Sequence, residues 1–427
     1  MRKLVHVFPG QGSQYVGMGK EWYNSFPEAR AVFEEANDTL TFDLTKLIFE
    51  GSQEMLTLTE NAQPALLTVS VAAYRVYMQE VGIEPAYSAG HSLGEFSALT
   101  CAGVIMFPDA LRIVRQRGIY MQEAAAEGTG SMCAVIGVSK ERIEEECNSA
   151  SAWNPDQMVV VSNYNSSEQI VISGHQEAVT RAAARLEEQG ARVSFLKVSA
   201  PFHSPLMKTA AAKFEEELQN YSYHAFKWPV ISNVTGLPYD SPDQVIVNLT
   251  AQMTAPVKWD LSMHYVHQKG VSVGIELGAR NILTNLMKLN VKSVACYPLD
   301  KPGQLDIIRE DLAVEIVEQR RKDKVNNVVT KCLTTAVCTR NRNWDQTEYE
   351  RGVLEPYRKI QLLQEKLDAP GETGSPTLSQ MKEALDLLKL ILDTKKVPAT
   401  EQKERFQIIL RDTHTVSLFP EFTHIGA

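Results

Sequence analysis

The sequence predicts an α/β chain in three parts, and three observations carry that prediction. The run Lys3-Leu4-Val5-His6-Val7-Phe8 is short, apolar and closed by Pro9-Gly10, so it reads as a buried first strand. A G-x-S-x-G pentapeptide, Gly90-His91-Ser92-Leu93-Gly94, stands between a strand-like and a helix-like segment. Residues 129–198 follow the order β-α-β-β-α-β, the ferredoxin-like signature. A larger subdomain over 1–128 and 199–300 is thus interrupted by a small one over 129–198, and a mainly helical extension follows over 301–427.

Taken in order, the first strand runs into Gly10-Gln11-Gly12-Ser13-Gln14, a loop whose glycines let backbone approach a ligand closely. Ile83 to Ala89 reads as a short buried strand, and a helix begins at Glu95 with Phe96, Ala98 and Leu99. Pro108 and Asp109 open a further helix running to about Ala126. The insertion has strands at Ser131–Val138, Met158–Ser162, Gln169–Ile172 and Arg192–Val198, with helices over Ser139–Ser149 and Gln176–Gln189. The larger subdomain resumes at Ala200, adds short strands near Val230–Asn233 and Val273–Leu277, and ends near Leu299. Beyond Lys301, Arg320–Lys324 is a charged stretch, either a solvated helix face or a surface for an acidic partner. Asp368 to Thr377 reads as a loop. Leu378, Met381, Leu385, Leu388 and Leu392 then follow helical spacing, a stripe for packing on the same chain or for docking a partner.

The pentapeptide proposes a reaction class. A serine hydroxyl is a poor nucleophile at neutral pH and needs a base beside it; His203, in Ala200-Pro201-Phe202-His203, is the candidate. A glycine-containing turn with an incidental serine gives the same pentapeptide. The Gly10–Gln14 loop has no lysine at P-loop spacing and lacks the third glycine of a dinucleotide fingerprint. Exposed amides beside a nucleophile suit an oxyanion hole, with Leu93 and Gln11 as donors. At about 100° per residue, Arg117 falls inside the apolar sector of its helix, whereas Arg112 and Arg115 fall outside it. A buried arginine needs an anionic partner, because an unpaired buried charge is costly.

Six motifs together resemble the malonyl-CoA:acyl carrier protein transacylases. They are Phe8–Gln14, Glu60–Ala65 with Gln63, Gly90–Glu95, Arg117–Gln122, Ala200–Ser204, and Gln252 with Pro256-Val257. The resemblance spans roughly 1–310 and implies an α/β-hydrolase-like large subdomain around the ferredoxin-like insertion. The extension is similar, more weakly, to those of discrete (trans-acting) acyltransferases serving bacterial polyketide or hybrid peptide–polyketide assembly lines. Position by position, the resemblance implies Ser92 as nucleophile, His203 as base and then acid, and Gln11 and Leu93 as oxyanion donors. It implies that a backbone carbonyl at Gln252 orients the histidine, that Gln63 lines the acyl pocket and that Arg117 holds a malonyl carboxylate. In related polyketide acyltransferases a phenylalanine at the position of Phe202 accompanies malonyl use; steric rejection of one methyl is worth roughly 1–3 kcal/mol. Asn163 and Asn165 face the acyl or pantetheine chain, or make a turn. The implied partners are malonyl-CoA and an acyl carrier protein, with no cofactor bound by the chain itself. A proofreading acyl hydrolase on the same fold, a lipase-like hydrolase and a non-catalytic carrier-binding scaffold are the alternatives.

Composition sets the remaining bounds. At 427 residues with 44% apolar content the chain can bury more than one core. A formal charge of -9 argues against nucleic acid, and no apolar run is long enough to span a membrane. Met1-Arg2-Lys3 leads directly into a strand and is not a signal peptide. The six cysteines show neither a disulfide framework nor a CxxC pair, which fits a reducing cytoplasm. His264 and His267 form an H-x-x-H read as a wet helix face, and no metal is expected.

Overall fold

The computed structural model describes residues 1–125, 130–154, 156–196, 200–369 and 375–423, without the side chains of 125, 320–326 and 423. Its strands, in chain order, are β1 (Lys3–Phe8), β2 (Tyr87–Gly90), β3 (Gly130–Ile136), β4 (Val159–Tyr164), β5 (Gln169–His175), β6 (Arg192–Phe195), β7 (Val230–Ile231), β8 (Val257–Lys258), β9 (Val271–Leu277) and β10 (Ala295–Leu299). Two compact units emerge, Arg2–Leu312 and, with Met1, the chain from Ala313 onward.

In the first unit a parallel sheet has the order β10-β9-β1-β2-β7. The apolar run of β1 occupies its centre, where strands are covered on both faces. Val5, Val7 and Ile231 pack with Trp259 and Met263 of the helix Trp259–Gln268 and with Leu286 of the helix Ile282–Asn290. Parallel pairing brings the carboxyl ends of β1 and β2 together, Phe8 opposite Gly90. The Gly10 loop and the serine turn therefore emerge side by side, at the end of a parallel sheet where ligands bind. A β-carbon on Gly94 would lie 1.9 Å from the Phe8 carbonyl oxygen, so this close approach admits only glycine.

The second sheet runs β6-β3-β5-β4-β8. Its first four strands are antiparallel and carry the helices Lys140–Trp153 and Gln176–Glu188, the ferredoxin-like arrangement read from sequence. Alternate residues Cys133 and Val135 of β3, and Ile170 and Ile172 of β5, turn inward onto Ile143 and Val179 of those helices. The fifth strand, β8, belongs to the larger subdomain and pairs in parallel with β4.

Several expected boundaries shift. The strand expected from Ile83 starts at Tyr87, because Pro85 has no N–H for the ladder. The one expected over Val230–Asn233 stops at Ile231, and Asn233 turns its side chain to the serine loop. Residues 126–129 and 197–199, ends of elements expected there, lie outside the described residues. The larger unit does not end near Leu299: the helix Gln304–Asp311 belongs to it, anchored by Arg2 Nη1 to Asp311 at 2.9 Å.

The regular elements of the second unit are all helices among its described residues. Helices Val328–Cys338, Glu355–Leu367, Leu378–Thr394 and Ala399–Asp412 enclose Val329, Ile360, Leu385, Leu388, Leu392 and Phe406. The leucine stripe thus packs mainly within its own unit, with Leu378 left exposed. A capping box of Thr377 and Gln380 starts that helix. The buried Lys395 ammonium donates to the Ala336 and Thr339 carbonyls, at the negative end of Val328–Cys338. Residues 370–374 of the expected loop, and the side chains of the charged stretch Arg320–Lys324, lie outside the described residues.

Candidate active site

Ser92 is held by backbone rather than by its side chain. It has φ 51° and ψ -106°, a strained conformation between β2 and the helix Leu93–Cys101. Its N–H donates to Asn233 Oδ1 at 2.7 Å, and Asn233 Nδ2 donates to the Gly90 carbonyl at 2.6 Å, so one side chain clamps both sides of the turn. The Ser92 hydroxyl is thereby projected to His203, 111 residues onward, with Oγ 2.8 Å from Nε2.

His203 Nδ1 is 2.7 Å from the main-chain oxygen of Gln252. A carbonyl can only accept, so Nδ1 carries the proton and Nε2 presents its lone pair to the serine. Burial, then the nearby Arg117 charge, lowers the His203 pKa to about 3. Because the pKa is lowered, the basic form persists as pH falls until about 3, and the imidazole is neutral across the physiological range. An NMR titration should find the His203 ring signals at their neutral position from pH 8 to 5. A midpoint near the ordinary value of about 6.5 would show a wetter site.

Leu93 opens its helix, where the first N–H groups have no intrahelical partner. In the neighbouring loop, Gly12 N–H donates to Gln14 Oε1 and Ser13 N–H to the Gly10 carbonyl. Those loop bonds do not use the Gln11 N–H. Gln11 Nε2 reaches Thr59 Oγ1 at 3.3 Å.

Arg117 comes from the helix Phe107–Ala125 and is 1% exposed, as its place in the apolar sector predicts. Nη2 lies 3.4 Å from Ser92 Oγ and 2.9 Å from Gln252 Oε1, and Nη1 lies 2.9 Å from Gln63 Oε1. The face of Phe96 is 5.3 Å from the guanidinium. Among the described residues no carboxylate pairs with it directly, and its Nε has no partner. Burial lowers its pKa to about 10, with Glu95 holding it up. Two neutral amides leave the positive charge uncompensated, an environment suited to an anion.

A cavity of about 540 Å³ leads to this pair, lined by Gln11, Phe202, Met121, Asn163, Asn165 and Arg280 among others. Phe202 borders the histidine as expected. Gln63 is fully buried, and its Oε1 accepts from Arg117 Nη1. Asn165 faces the cavity and also pairs with His91 Nε2 at 2.8 Å, so wall and turn roles coexist. The exposed His264 bonds the Asp260 main-chain oxygen, and His267 is exposed on the same helix. Glu95, Asn233 and Tyr239 were missed in the sequence. For Glu95 the signal was present: a carboxylate in Leu93–Cys101, a helix buried on nearly every side, cannot reach water.

With this geometry in place, comparison with known proteins is direct. Residues 5–341 match the acyl transferase domain family. The chain belongs to that family. A Bacillus subtilis protein named malonyl CoA-acyl carrier protein transacylase is 41% identical to this acyl transferase over 403 residues, covering 94% of this chain and 99% of its own. An Escherichia coli K12 protein of the same name is 44% identical over 306 residues, covering 71% and 98%. The helical extension therefore has a counterpart in the first of these relatives. Among solved structures, the malonyl CoA-acyl carrier protein transacylase of Coxiella burnetii is 38% identical, with a TM-score of 0.71 over 73% of this chain and 98% of its own. A malonyl-transacylase solved with its type II PKS acyl-carrier protein is 39% identical, with a TM-score of 0.70 over 72% and 99%.

Proposed function

We infer that this acyl transferase moves a malonyl group from malonyl-CoA to the phosphopantetheine thiol of an acyl carrier protein, in fatty-acid or polyketide biosynthesis. One observation carries the choice of acyl group: the Arg117 guanidinium, buried and without a carboxylate partner among the described residues, stands 3.4 Å from the hydroxyl that His203 activates. A site for acetyl or for long uncharged chains has no use for it, and the same point disfavours a proofreading hydrolase.

The reaction runs in two halves. The malonyl carboxylate pairs with Arg117, which places the thioester carbonyl over Ser92. His203 Nε2 takes the hydroxyl proton as Oγ attacks, and the oxyanion is stabilised by the Gln11 and Leu93 amides. The C–S bond breaks, His203 returns its proton to the departing thiolate, and a malonyl ester remains on Ser92. The carrier thiol then attacks this ester, with His203 as base, and Ser92 is regenerated. The Gln252 carbonyl holds the imidazole as a third catalytic group would, without contributing a charge. No cofactor or metal is needed on the enzyme, since the acceptor carries the phosphopantetheine. Among the described residues no helix is long and apolar enough to cross a membrane; separately, we propose a cytoplasmic location, as expected for the malonyl-CoA-using reaction above.

Intact-protein mass spectrometry after incubation with malonyl-CoA should show the gain of one malonyl group, lost on adding a phosphopantetheinylated carrier that gains it. Thioester consumption without carrier loading would replace this reading with the hydrolase. An enzyme that stays unmodified would leave only the scaffold.

A further inference from the structure

Glu95 is fully buried, one helical position beyond the Gly94 of the elbow, and the acyl-transfer steps do not use it. Three donors converge on its carboxyl group. Gln252 Nε2 reaches Oε2 at 2.7 Å, the Asn233 N–H reaches the same oxygen at 3.1 Å, and the Tyr239 hydroxyl reaches Oε1 at 2.5 Å. The first of these contacts has a directional consequence. A carboxamide has one accepting end and one donating end, and the donating end of Gln252 is taken by the carboxyl oxygen at 2.7 Å and by the Ser92 main-chain oxygen at 3.1 Å, the carboxyl being the shorter contact. Gln252 must then turn Oε1 towards Arg117, which it meets at 2.9 Å. Were the amide to turn over, two sets of N–H donors would face each other in a buried site, a contact costing more than a lost hydrogen bond.

We propose that Glu95 is a positioning residue for malonyl selection, fixing the Gln252 amide so that Arg117 is held towards Ser92 and open to the substrate carboxylate. This rests on the malonyl reading given above and deepens it. The chain of contacts is carboxylate to amide to guanidinium, and Glu95 touches neither substrate nor reacting atoms. Asn233 ties the same carboxylate to the serine turn, so the helix Leu93–Cys101 carries one anchor for both the nucleophile loop and the substrate arginine. Burial raises the Glu95 carboxyl to about 7 against the lowering effect of its three donors and of Arg117. A neutral amide of the same shape is therefore a mild replacement: its oxygen can accept from Gln252 and Asn233, and its NH2 can donate to the Tyr239 hydroxyl.

The test is a double-mutant cycle read as the ratio of malonyl to acetyl acylation efficiency, with melting temperatures recorded for each variant. Glu95→Met and Gln252→Met should each lower that ratio tenfold or more, and the double variant should fall no further than the worse single, because the two residues act in one chain. Glu95→Gln should restore the parent ratio. Additive losses in the double variant, or a Glu95→Gln as unselective as Glu95→Met, would overturn the proposal. Should Glu95→Met not fold, Glu95→Gln and Gln252→Met still decide, since a selective Gln252→Met also contradicts it. The parent enzyme is the separate control on function: failure to prefer malonyl there rejects the substrate assignment itself, whatever the variants do.

Discussion

Replacing Ser92 with Ala is expected to eliminate the malonyl-enzyme and to lower transfer to the carrier by roughly 10⁶-fold, the scale seen when a catalytic serine of this kind is removed. The fold should survive. Among the described residues Ser92 Oγ pairs with His203 and Arg117, and the strained turn is fixed by backbone bonds to Asn233 that alanine keeps. Alanine at φ 51° adds no strain that serine does not already carry. An unchanged melting temperature with no mass gain from malonyl-CoA is the expected pair of readings. Normal ester accumulation in Ser92→Ala would place the nucleophile elsewhere.

Replacing Arg117 with Ala should have the next largest effect, on which acyl group is accepted. Removing one partner of a buried charge pair costs about 3–5 kcal/mol, which is a loss of roughly 10²–10³-fold or more in malonyl acylation. Acetyl acylation has no carboxylate to strand and should fall far less. Initial rates with the two thioesters give the ratio directly, and a variant that still favours malonyl would refute the role given to this arginine. The substitution also leaves the buried Gln63 and Gln252 oxygens without a donor, at about 1–3 kcal/mol each. Arg117→Lys should not rescue selection, because a single ammonium cannot reproduce the planar fork that bridges both amides.

The parts legible in the sequence are those where local pattern and chemistry agree. Lys3–Phe8 is an apolar run that reads as a buried strand, and the β-α-β-β-α-β unit carries its period and turn residues within its own span. Arg117 was placed on the buried face by helical periodicity alone. Ser92 and His203 are different: a side chain 111 residues away cannot be assigned by local pattern, and motif resemblance supplied that pairing. What escaped is non-local. β8 is two residues long and exists only because β4 lies beside it. β10, Ala-Cys-Tyr-Pro-Leu, alternates poorly and includes a proline that only an edge strand tolerates. Asn233 and Tyr239 sit in irregular backbone with no periodicity to flag them.

The parallel bridge of Asn163 and Tyr164 to Val257 and Lys258 has a mechanical meaning. Three residues before Val257 the chain has just left Met253, the neighbour of the Gln252 carbonyl that steadies His203. The inserted subdomain is therefore not hung on its two connecting segments alone; it is stitched along a third seam close to the catalytic base. Swinging it outward like a jaw would tear main-chain hydrogen bonds and pull on the imidazole's support. The edge of the cleft nearest His203 is thus bounded by main-chain pairing between the two subdomains as well as by the covalent connections.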